Sequence, residues 1–259
     1  MRKRIISIFT AFLIIISLFT ACSGAPSYSD YIDSDKRIAV EAGDIYGDLS
    51  RSMFKARTQE YTNTDSMLEA LNLGYVDAVL IGDGFVRRLE NSGLYPDFEY
   101  IRVPDYIFIN KSGSIFHTEE LRNSYNEWFA KIAADGTLEE ILDRWLGSEL
   151  PAFGDIPKFE LTGENGTLRV CDTGNYPPLS YYNNNVLVGF DMEMAQRFAL
   201  ELGMNIEVLL VEYEEIGEHV TTGKSDMSAA TWAVTDEREE TLLFGEPCLI
   251  TQAVLIVKK

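Results

Sequence analysis

The sequence predicts an α/β fold in which mainly parallel sheets are flanked by helices, and three observations predict it. Short apolar runs alternate with segments of helical spacing through both halves of the chain. Glycine closes the helical segments, at Gly74, Gly147, Gly203 and Gly223. With 259 residues, 46% of them hydrophobic, the chain can bury one large two-lobed body or two small domains.

Arg2, Lys3 and Arg4 precede an uncharged apolar run over 5–19, and Thr20, Ala21 and Cys22 follow it. This is the layout of an export signal, with Cys22 where a bacterial lipoprotein signal carries its lipidated residue. We read 1–21 as that signal, Cys22 as the acylated end and 22–35 as a Ser/Gly-rich tether, which puts the protein at the outer face of the cell membrane. A plain signal peptide or an uncleaved anchor would use the same residues. No later run reaches the roughly 20 apolar residues of a membrane span.

Residues 36–110 form the first α/β unit. It has a strand at 37–40, a helix at 64–73 carrying Met67, Leu68, Ala70 and Leu71, and a strand at 76–81. Over 111–149 come two amphipathic helices: 119–133, with Leu121, Tyr125, Trp128, Phe129 and Ile132 on one side, and a second opened by a capping box of Thr137 and Glu140. A Pro/Gly-rich linker spans 150–166. A second unit, 167–259, repeats the pattern: strand 168–170, helix 191–202, strand 206–211, a helix to Gly223, strand 226–230, a helix from Thr235 and a strand over 253–257.

With 41 acidic and 22 basic residues, the net charge is −19, and removing 1–21 takes it to −22. A chain this acidic repels a phosphate backbone, which excludes nucleic acid as partner. Two histidines, without Cys/His ligand spacing, predict no metal site and no cofactor. Export would permit a disulfide, but Cys171 and Cys248 are read as buried free thiols.

Six short motifs of the second unit occur in one order: Gly166-Thr167-Leu168-Arg169-Val170, Tyr176-Pro177-Pro178, Val188-Gly189-Phe190-Asp191, Gly223-Lys224-Ser225-Asp226, Thr235-Asp236-Glu237-Arg238 and Phe244-Gly245-Glu246-Pro247. Together they resemble the first lobe of bacterial extracellular solute-binding proteins of family 3, the polar amino-acid class. The first unit resembles that family's second lobe through Ile38-Ala39-Val40-Glu41-Ala42-Gly43 and Gly74-Tyr75-Val76-Asp77-Ala78-Val79, and 135–147 resembles its closing helices. The resemblance implies a two-lobed periplasmic-binding-protein-like fold of type II, with its parts in circularly permuted order. A natural permutant, a piece of a tandem protein and two half-domains completing each other between chains all fit that order. The permutant reading expects Lys36 beside Val257 at the hinge, with 104–114 as the only covalent crossing.

The resemblance also implies a site between the lobes. Arg238, in the first turn of a helix capped by Thr235, would grip a ligand carboxylate. Tyr176 and Tyr213 would sandwich the ligand body, and Thr231 and Ala233 would meet it through their backbones. The family's ammonium-binding acid falls on Thr173, with Asp172 one place early; in the other lobe the acid falls on Gly82, with Asp83 one place late. Asp44 and Glu41 could substitute. The implied function is capture of an amino acid or similar small carboxylate for an ABC permease. A sensory or degenerate module is one alternative, and a small dehydratase using Glu212 is another.

Overall fold

The computed structural model describes residues 25–259 apart from Tyr106, Ser148 and Leu150. The expected signal and Cys22 lie outside the described residues. In chain order the first part holds β1 (Arg37–Glu41), α1 (Ile45–Leu49), β2 (Arg57–Tyr61), α2 (Thr64–Asn72), β3 (Ala78–Gly82), α3 (Asp83–Ser92), β4 (Phe98–Arg102) and β5 (Ile109–Gly113). Next come β6 (Ile115–Phe116), α4 (Glu119–Ala134), α5 (Thr137–Leu146), β7 (Thr167–Asp172), β8 (Asn175–Tyr176), β9 (Ser180–Asn183), β10 (Val186–Val188) and α6 (Phe190–Glu201). The rest is β11 (Asn205–Leu210), α7 (Ile216–Thr221), β12 (Met227–Ser228), β13 (Trp232–Ala233), α8 (Asp236–Glu239), β14 (Leu243–Phe244) and β15 (Leu249–Lys258).

Two large sheets and a small antiparallel one, β10-β9-β8, organise these elements. The first runs β13-β5-β15-β3-β1-β2, with β4 also paired to β15, and the second runs β11-β7-β12-β6-β14. The strands adjoining β1 and β7 are parallel to them, and helices bury apolar faces on both sides. One device recurs in the two bodies. The Asp77 carboxylate accepts hydrogen bonds from Arg37 N at 2.7 Å and Arg37 Nε at 3.1 Å, fixing β1 against the start of β3. Asp226 accepts from Arg169 N at 2.8 Å and Nε at 3.2 Å, fixing β7 against β12 in the same way. Each acid stands three residues after a left-handed glycine, Gly74 or Gly223.

The sequence boundaries need correction at three places. First, β15 lies in the first sheet, although its residues were assigned to the second unit. Ala253–Val257 are buried and pair with β3 on one side, while β4 covers the other, a position only an apolar strand can occupy. The chain therefore crosses between the sheets at several places rather than only at 104–114: from β5 to β6, from β12 out to β13 and back to β14, and from β14 to β15. Second, Lys36 and Val257, expected side by side at the hinge, are separated by β3: Ile38, two residues after Lys36, and Val257 both pair with Ala78 from opposite sides, about 10 Å apart at two strand spacings. They are close, but at the end of the sheet away from the crossings. Third, part of the tether is docked: 28–31 form a 3₁₀ turn whose Tyr31 is buried among Ile38, Val40 and Leu255.

The capping box of Thr137 and Glu140 does not form. Gly136, left-handed at φ 88°, is the N-cap of α5, and Asp135 Oδ1 accepts from Thr137 N at 2.9 Å instead. α4 and α5 pack against α6 and β9, through Tyr125 and Trp128 against Phe198 and through Trp145 against Tyr181. Glu193 ties this packing together from 3% exposure: its carboxylate accepts from Arg144 at 2.7 Å, Arg197 at 2.8 Å and Trp145 Nε1 at 2.8 Å. Cys171 and Cys248 are buried free thiols. Among the described residues no helix is long and apolar enough to cross a membrane.

Candidate functional site

Parallel strands present the loops at their carboxyl ends to a common crevice, and here both sheets do so toward each other. The turn after β1 brings Glu41 and Asp44, the loop after β7 brings Thr173 and Tyr176, and the turn after β11 brings Tyr213 and Glu214. Asn110 of β5, Asp191 of α6 and Thr231 complete a cavity of about 160 Å³. The bodies touch across it: the Gly43 Cα faces the Tyr213 ring and the Glu214 side chain.

The cavity is acidic and shielded. Burial, reinforced by Asp44 and Glu214, pushes the Glu41 carboxyl up to about 8, and its Oε2 has no hydrogen-bond partner. Burial also raises Asp44 to about 6, against the opposing pull of the Ile45 N–H, which donates to Oδ1 at 2.6 Å, and of the Arg238 charge. Tyr176 and Tyr213 are raised by burial and by the carboxylates of Asp44 and Glu41. Asp172 behind the lining and Asp191 within it are both buried and both raised, because each is out of water and they repel one another.

Of the residues named from the sequence, Tyr176, Tyr213, Thr231, Ala233, Thr173 and Asp44 line the cavity. Three other residues do not. Asp172 is fully buried and turned away: its Oδ1 accepts from Gly174 N at 2.7 Å, because the alternation of β7 sends Asp172 inward and leaves Thr173 at the cleft. No bulge returns a carboxylate to that position. Asp83 opens α3, accepts from Gln252 N at 3.1 Å and stands 3.7 Å from Arg87. Arg238 stands at the rim. Thr235 caps its turn through Oγ1, and its guanidinium donates to Ala233 O at 3.1 Å and, across the lobes, to Gly43 O at 3.2 Å. It stacks 4.6 Å from the Trp232 ring.

Sequence reasoning missed Asp191, Tyr46 and Asn110 as lining residues. Asp191 had a signal, a carboxylate between Phe190 and Met192 in the first turn of an apolar helix. Asn110 had none, because β5 carries no strand periodicity. Among the described residues, no three His, Cys, Asp or Glu side chains gather as a metal site.

Residues 168–259 match the bacterial extracellular solute-binding proteins, family 3. The similarity covers the part of the chain from β7 to β15. The chain is 34% identical over 96 residues to a probable amino-acid-binding protein of Bacillus subtilis, covering 37% of this chain and 36% of the relative. It is 28% identical over 114 residues to an L-cystine-binding protein of Escherichia coli, covering 44% and 43%. A cyclohexadienyl dehydratase of Pseudomonas aeruginosa is 32% identical over 87 residues, covering 33% and 32%. The chain thus spans less than half the length of each curated relative it matches.

Proposed function

We propose that the chain is a non-enzymatic receptor that captures an amino acid or a close relative between its two lobes and passes it to an ABC-type importer. One observation carries the reading: side chains of both bodies, Glu41 and Asp44 from one and Tyr176 and Tyr213 from the other, converge on one enclosed cavity. The family match of residues 168–259 and the binding proteins among its relatives support it. In this reading Tyr176 and Tyr213 hold the ligand body, and Thr231 and Ala233 offer backbone groups. Arg238 exchanges its bonds to Gly43 and Ala233 for the ligand carboxylate as the lobes adjust. Export and a lipid tether at Cys22 place the receptor where an importer needs it, and the permuted order still makes one body, since every part is present once.

The dehydratase relative gives the enzymatic reading its one support. Against it, Glu212 is exposed at the edge of the cavity, where water screens it from a buried reaction centre. Thermal denaturation against a panel of amino acids tests the proposal. A ligand at a hundred times its Kd raises the midpoint by about 5–10 °C. An unchanged midpoint across the whole panel overturns it.

A further inference from the structure

The cavity selects for charge, and the bonding needs of its walls say which charge. Five lining side chains leave a buried atom without a hydrogen-bond partner: Glu41 Oε2, Asn110 Oδ1, Ser180 Oγ, Asp191 Oδ1 and Thr231 Oγ1. Two of these belong to carboxyls and one to an amide oxygen, two are hydroxyls, and none is an N–H; burial holds the empty site's carboxyls toward their protonated form, and a cation beside them would draw them to the charged, acceptor-only form. Asp191 and Asn110 are 3% and 8% exposed and line the cavity; Asp191 Oδ2 accepts from Thr231 N at 3.3 Å and Asn110 Nδ2 donates to Ser112 at 3.0 Å, which leaves one oxygen of each, Oδ1, for a donor from the occupant. No Lys, Arg or His lines the cavity among the described residues, while Glu41, Asp44, Asp191, Glu212 and Glu214 do. The nearest cation, Arg238, has its guanidinium occupied by two carbonyls and the Trp232 ring.

We infer that the ligand carries a second cationic nitrogen group, an amine or guanidinium beyond its α-ammonium, held on Glu41, Asn110 and Asp191 against the rings of Tyr176 and Tyr213. The α-ammonium of any amino acid needs one carboxylate, and this cavity offers several. A cationic chain end satisfies the remaining acceptors with its N–H groups and lies well against aromatic faces. The inference rests on the receptor reading above and names the ligand class for that site.

Calorimetric titration of the full chain separates the two claims, using lysine, ornithine and arginine beside their uncharged counterparts norleucine and citrulline, with glutamate and the diamine cadaverine. Binding of the dibasic amino acids at least tenfold tighter than the uncharged ones is the expected result. The isosteric variant Glu41→Gln, checked for an unchanged fold by circular dichroism, should lose about tenfold or more in that binding. Tight binding of norleucine or citrulline with none for lysine overturns the inference and leaves the receptor reading standing. Binding of cadaverine alone keeps the cationic site and overturns the amino-acid reading. No binding by any probe overturns both.

Discussion

Glu41 carries a large electrostatic cost at the cavity, and its titration can be read in the stability of the free protein. Its carboxyl is raised from 4.5 to about 8 by burial and by the facing acids Asp44 and Glu214, one from each body. Between those values the folded chain holds a proton that the unfolded chain has lost, so stability is highest at low pH and falls as pH rises toward 8. Asp44, raised to about 6, adds the same sign over the lower part of that window. Melting temperatures measured from pH 5 to pH 9 should fall more steeply for the parent than for Glu41→Gln. Superimposable profiles would contradict the assignment. At this scale much was legible: the slip between Thr173 and Asp172 could be read from β-strand alternation, and Tyr176 and Tyr213 from motif position. The rim position of Arg238 was not, because it depends on Gly43, almost 200 residues away in the chain and brought close only by folding.

At the scale of elements, α5 joins the closing helices to the second sheet. Trp145 is 1% exposed, packs edge-on against Tyr181 at 6.4 Å between ring centres, and donates its N–H to Glu193. Trp145→Ala should cost about 3–5 kcal/mol in chemical denaturation, the usual range for a large aromatic lost from a core, because it opens a cavity and strips a donor from a buried carboxylate. A cost below about 1 kcal/mol would mean that α5 is not a structural part of this body. The helices with strong apolar stripes, α2, α4, α5 and α6, were legible, as were the glycines that end them. β2 and β5 were not, because their sequences, Arg-Thr-Gln-Glu-Tyr and Ile-Asn-Lys-Ser-Gly, are polar and find their place through strand pairing. The start of α5 was misread because Gly136 reaches a left-handed conformation more cheaply than Thr137 can close a capping box.

For the whole molecule, two lobes were legible from the repeated α/β pattern, and the structure repeats the Arg–Asp clasp that opens each sheet. The interlocking of the lobes was not legible. β15 reads as the end of the second unit, yet its apolar side chains reach burial only between β3 and β4 of the first. β15 begins against β5 and ends between β3 and β4 of the same sheet, so the β5–β6 and β14–β15 connections both join the two sheets, which fits hinged movement of the lobes. The central claim is that both lobes of a single chain enclose one solute site. Calorimetry on monomeric protein, its mass fixed by light scattering, tests it with any ligand that shifts the melting point. One site per chain, lost on Tyr176→Ala, is the result the account predicts; one site per two chains, or heat unchanged by that substitution, would contradict it.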